Sequence, residues 1–135
     1  MILGLGSDLV DIRRIEDSLE RFGDRFLTRI FTPEERAALA DRQGKVLVSA
    51  YAKRFAAKEA CAKALGTGFA LGVSWQDIQV RNDANGMPLL VLSGGAAQRA
   101  TDMTPKGMST ALHLSLSDEY PLAQAMVILS AVPKP

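Results

Sequence analysis

At 135 residues the chain is long enough for one hydrophobic core and short for two, so a single domain over residues 1–135 is expected. Apolar residues make up 47% and charged ones 23%, with a net charge of +1, an ordinary globular balance that suits an enzyme or a binding module equally. The one cysteine, Cys61, excludes an internal disulfide and a cysteine metal cluster and suits a reducing cytosol. The start, Met1 to Ser7, carries no basic leader and meets an acid at Asp8, and no later run is apolar enough to span a bilayer. A soluble, cytoplasmic protein is expected, with neither membrane nor nucleic acid as a partner.

Ile2 to Ser7 is a short apolar run with glycines and reads as a first strand, with Asp8 at its end. From Ile12 the apolar residues fall at Ile12, Ile15, Leu19 and Phe22, spacings of three and four that draw one helical face, and Gly23 is a natural stop. Thr32-Pro33-Glu34-Glu35 combines a hydroxyl cap, a proline at the first helical position and a glutamate three beyond the cap, which opens a short helix through Ala40. An alanine-rich helix is expected from Val46 to Leu65, ended by Gly66-Thr67-Gly68.

Strand patterns follow. Trp75 to Arg81 alternates, Asn85-Gly86 is a hairpin turn, and Leu89 to Leu92 returns as its partner. Gly95 to Met103 suits a short helix, and Leu112 to Ser117 and Ala123 to Leu129 are two more strands around the turn-rich Asp118-Glu119-Tyr120-Pro121. This order predicts an α+β fold, a small mostly antiparallel sheet packed against a long helix.

On a helical wheel at about 100° per residue, Tyr51, Phe55, Ala62 and Leu65 mark an apolar stripe on the long helix. Lys58 falls inside that stripe, while Glu59 and Lys63, four apart, lie on its flank. A snorkelling Lys58 and a surface pair between Glu59 and Lys63 would account for these charges. Two considerations favour a site instead. An ammonium in an apolar stripe requires an anion at its end. Asp8 and Glu59 are also the one or two carboxylates with which Mg²⁺ is usually held beside substrate phosphates, the arrangement phosphoryl transfer demands.

The combination of Gly4-Leu5-Gly6-Ser7-Asp8-Leu9-Val10-Asp11-Ile12 with Arg14-Ile15, Phe31-Thr32-Pro33-Glu34-Glu35, and Arg54-Phe55-Ala56-Ala57-Lys58-Glu59-Ala60 through Lys63 and Gly66-Thr67-Gly68 resembles the holo-[acyl carrier protein] synthases. They are the small bacterial class of 4′-phosphopantetheinyl transferases. The resemblance runs from Met1 to about Leu129. It implies transfer of phosphopantetheine from coenzyme A to a serine of apo-acyl carrier protein in support of fatty acid biosynthesis, with adenosine 3′,5′-bisphosphate leaving. Carried onto this sequence, it makes Asp8 and Glu59 the Mg²⁺ ligands, and Lys63 the holder of the phosphoryl oxygens. Glu59 becomes the base, acting directly or through a water. For the coenzyme it implies Arg54, Lys45 and His113 around the 3′-phosphate, and Gly66 and Gly68 near the diphosphate, although a plain helix stop explains Gly66 equally well. His113, the single histidine, stands with Ser115 and Ser117 on the polar side of its strand.

Arg14, Ser18 and Arg21 share one face of the first helix, opposite Ile12, Ile15 and Leu19, and Arg25 joins them if the helix survives Gly23. Such a stripe is a dock for an acidic carrier or a solvated face. The family forms homotrimers with sites between subunits, which suits a sheet covered on one side only. Two positions depart from the family: Met87 stands where a hairpin lysine is common, and Asp118 where many relatives place a histidine. The competing readings are a metal-dependent phosphatase or nucleotidyltransferase on the same carboxylates, and a non-catalytic trimeric module that binds an acidic protein.

Overall fold

The structure, a computed structural model, describes residues 1–135. Strand β1 (Ile2–Asp11) leads into helix α1 (Ile12–Phe22), followed by α2 (Asp24–Ile30), α3 (Pro33–Ala38) and the long α4 (Gly44–Ala64). A 3₁₀ turn at Trp75–Asp77 opens the hairpin β2 (Ile78–Asn82) and β3 (Pro88–Leu92), and α5 (Gly94–Met103), β4 (Met108–Glu119) and β5 (Leu122–Pro133) complete the chain. Strands β1, β5 and β4 form one antiparallel sheet in that order, and β2 with β3 forms a second.

The expected single sheet is therefore two, and α4 runs between them. Ala52, Ala56, Ala60 and Ala64 are buried, as are Ala123, Ala125, Val127 and Leu129 of β5, while Tyr51 and Phe55 meet an aromatic cluster with Phe31 and Trp75. The single apolar stripe drawn on the wheel understated this burial. Alanine is small enough to let sheet backbone come close on one side while bulky rings fill the other.

Gly4 and Gly6 show how close that approach is. A Cβ built on Gly6 would land on the Ala60 carbonyl, and one on Gly4 on the Ala64 carbonyl, so β1 lies backbone to backbone against α4. β1 also continues four residues past Ser7, with Asp8 opposite Ala125 and Asp11 opposite Leu122. Asp8 thus sits within the strand rather than at its end. Asp11 ends the strand as the N-cap of α1, accepting from the Arg13 backbone N–H at 2.9 Å, and the Arg13 guanidinium lowers its pKa to about 2.

Gly23 adopts a left-handed φ of 50° and stops α1, and a separate helix, α2, begins at the next residue. The capping box at Thr32 is formed, with Glu35 Nα donating to Thr32 Oγ1 and Thr32 Nα to Glu35 Oε1.

Candidate active site

Along β1, Gly4, Gly6 and Asp8 alternate onto the face that meets α4, so the contact the glycines permit carries the Asp8 carboxylate to the helix. Lys63 Nζ donates to Asp8 Oδ1 at 3.1 Å and to the Ser7 carbonyl at 2.9 Å. It makes no pair with Glu59. The surface pairing of Glu59 with Lys63 is thus replaced by one between Lys63 and β1, because Asp8 offers the same charge from a half-covered position.

Glu59 is half-buried one turn from Lys63, and its pKa is raised above the usual carboxylate range. Burial is the largest cause and the negative charge of Asp8 the next, while Lys63 and Arg14 pull the other way. Two carboxylates, one lysine and one arginine therefore converge where β1, α1 and α4 meet. No third acid, histidine or cysteine joins them. The donor set is hard oxygen and too small to enclose a cation alone, which fits a magnesium ion that draws its remaining ligands from water and substrate phosphates.

Arg54, five residues earlier on α4, faces a different cavity. Its side chain is only 5% exposed, Nη1 donates to Ala50 O at 3.4 Å, and Nε has no partner. Glu34 of α3 and Gln79 to Asn82 of β2 line the same cavity, so Arg81 adds a second guanidinium. Burial and then the nearby Arg42 pull the pKa of Arg54 below the usual arginine value. A buried arginine with an open donor is arranged for an anion.

Lys45 lies in a separate groove of α4 with Arg42, Lys53, Asp118 and Tyr120, its Nζ 5.4 Å from the Tyr120 ring centre. Asp118 pairs there with Lys53 at 3.3 Å, so this acid clasps the β4–β5 tip to α4. His113 is exposed on β4, opposite Ile128, with Nε2 3.3 Å from Ser130 Oγ. In register with Leu5 and Ile128, it lies on the sheet face turned away from α4, remote from Arg54 within one chain.

Gly66 and Gly68 both take left-handed φ, 75° and 57°. The amides of Gly66, Thr67 and Gly68 bond to the Lys63 and Ala62 carbonyls, so within this chain they close the helix, as a plain stop does, and do not point free toward a phosphate. Arg14, Arg21 and Arg25 are all exposed, but Arg25 reaches the region from α2, where it shares an apolar recess with Phe22, Phe26 and Arg29. Helix α2 and Arg29 were not legible in the sequence beyond the stop at Gly23.

Lys58, the lysine of the apolar stripe, is fully buried and pairs with Glu35 Oε1 at 2.7 Å. Burial holds its pKa below the usual lysine range, and Glu35 opposes that shift. The capping glutamate is therefore also its counter-ion, which the demand for an anion foretold without naming it. Met87 is exposed in the β2–β3 turn and meets none of these groups.

Cys61 is fully buried, and burial pushes its thiol from an ordinary 9.0 up to about 12. The folded state keeps this proton where the unfolded chain loses it, so the contribution to stability is complete below about pH 8.5 and is lost as pH rises toward 12. Alkylation at pH 9 is expected to be negligible on the native protein and fast in denaturant, and rapid native labelling would contradict the burial.

Over residues 4–125 the chain matches the model of the 4′-phosphopantetheinyl transferase superfamily. The chain belongs to that superfamily. A holo-[acyl-carrier-protein] synthase of Paramagnetospirillum magneticum is 62% identical to this transferase over 133 residues, spanning 98% of this chain and 99% of that protein. The crystal structure of the Neisseria meningitidis synthase, 38% identical, matches with a TM-score of 0.82 over 96% of this chain and 99% of its own. The Helicobacter pylori synthase in complex with coenzyme A, 32% identical, matches with a TM-score of 0.77 over 93% and 99%. The family membership and the α+β fold class inferred from separated motifs are both borne out.

Proposed function

We infer that this transferase moves the 4′-phosphopantetheine group of coenzyme A onto a serine of apo-acyl carrier protein, leaving adenosine 3′,5′-bisphosphate. The observation that carries it is the convergence of Asp8, Glu59 and Lys63 at one junction in a chain of this family. The serine oxygen forms a bond to the β-phosphorus and the phosphoanhydride bond to the bisphosphate breaks. Glu59, whose carboxylate is half-buried beside Asp8, takes the serine proton, directly or through a water. Lys63 donates to the phosphoryl oxygens as charge shifts between them.

Asp8 and Glu59 would hold Mg²⁺, which when bound neutralises diphosphate charge. Arg54, with Lys45, receives phosphate groups of the coenzyme. Arg14, Arg21 and Arg25 dock the acidic carrier, an attraction that weakens as salt rises.

A homotrimer completes the site in this reading. Leu5 and Leu9 are 61% and 62% exposed on the outer sheet face beside Met126, an apolar surface suited to neighbouring copies, and His113 shares that face. His113 would then join a neighbour's Arg54. Trimers mixed from Arg54→Ala and His113→Ala chains are expected to transfer faster than the mean of the two variants alone, and purely additive activity would place both residues in one subunit's site. We place the reaction in the cytoplasm, supplying fatty acid synthesis.

The deciding assay incubates the protein with coenzyme A, Mg²⁺ and apo-carrier and follows the carrier by mass spectrometry. A phosphopantetheine mass gain is expected. Phosphate release without it favours a phosphatase, and binding without any product favours a scaffold.

A further inference from the structure

Glu35 and Lys58 form the one ion pair in the chain with neither side chain exposed. Glu35 Oε1 also accepts from Thr32 Nα at 2.9 Å, and Oε2 accepts from Val80 Nα at 3.1 Å. Lys58 Nζ donates further to the Trp75 carbonyl at 3.0 Å and to the Ile78 carbonyl. The pair is thus bonded to the start of α3, the middle of α4 and the segment leading through β2. Those three pieces are the walls of the cavity into which Arg54 faces: α3 supplies Glu34, α4 supplies Arg54 itself, and β2 supplies Val80 and Arg81. Arg54 lies one helical turn before Lys58, so the two share a face of α4.

Stability alone does not call for such a pair, since two apolar side chains of similar volume fill a core as well or better. Apolar side chains lack direction, however, and cannot set where three backbone segments stand relative to one another. We propose that Glu35 and Lys58 are positioning residues for the coenzyme, acting through Arg54 by fixing the spacing of the α3, α4 and β2 walls around its guanidinium. The proposal rests on the reading of that cavity as the seat of the coenzyme's 3′-phosphate.

The test compares coenzyme A with 3′-dephospho-coenzyme A as substrates, using wild type, Arg54→Ala, and the double variant Glu35→Met with Lys58→Met. The double variant leaves no uncompensated charge but orphans the Thr32 and Val80 amides and the Trp75 and Ile78 carbonyls, so it is expected to melt below wild type while remaining folded. Its KM for coenzyme A rises about tenfold, the order seen when a supporting group is lost rather than a ligand contact. Its KM for the dephospho form, its KM for the carrier and its kcat stay within about twofold. Should the double variant not fold, Glu35→Gln combined with Lys58→Met, which keeps an acceptor for the cap and leaves no buried charge unpaired, gives the same readout.

Unchanged discrimination between the two coenzymes in these variants, with discrimination lost in Arg54→Ala, overturns the proposal and leaves the pair a packing device. Discrimination intact in Arg54→Ala overturns the cavity reading itself and the proposal with it.

Discussion

Glu59→Gln is expected to lower kcat by about 10²–10⁴-fold, the range spanned by loss of a positioned general base, while the variant melts like wild type. The amide is the same shape, and Glu59 is half-exposed with no hydrogen bond that the fold depends on. What it lacks is charge. In the proposed roles it would neither take the serine proton nor serve as an anionic ligand beside Asp8, so both fail together and raising Mg²⁺ is not expected to restore the rate. Asp8→Asn separates them: it leaves the base in place, and its defect should ease as Mg²⁺ rises. Full activity in Glu59→Gln, measured as carrier mass gain, would remove Glu59 from the chemistry.

Gly6→Ala is expected to be the most damaging single methyl in the protein. Its Cβ meets backbone, the Ala60 carbonyl, and backbone of a buried helix has no rotamer by which to yield. Overpacking of this kind costs about 3 kcal/mol or more, readable as a lower denaturant midpoint with the slope unchanged. Activity falls further than stability, because β1 must lift away from α4 and Asp8 rides two residues along on the same face. A displacement of about 1 Å in such a group is enough for roughly 100-fold in rate. Wild-type stability in this variant would show that the strand and helix are less closely apposed than described.

These two effects draw on different kinds of information, and only one kind is local. The capping box at Thr32 to Glu35, the stop at Gly23 and the hairpin at Asn85-Gly86 are hydrogen-bonding patterns within four or five residues, where spacing alone sets which groups meet. They were legible, as were Asp8, Glu59 and Lys63 as the charged groups the fold brings near one another. Element ends were less so. β1 extends to Asp11 because β5 offers partners as far as Leu122, and a strand's length depends on its neighbour as much as on its own residues.

The sequence by itself determined the family and the α+β class, because each follows from short-range pattern or from motifs held in common. Tertiary structure alone decided which charges pair. Lys63 turns from Glu59, four residues away, to Asp8 at a separation of 55, and Lys58 finds Glu35 across the core. It also placed His113 on the sheet face opposite Arg54's side of the molecule. The reason is physical: the strength of a charge pair depends on how far its members are desolvated and how closely they are held. Both are properties of packing between elements distant in sequence.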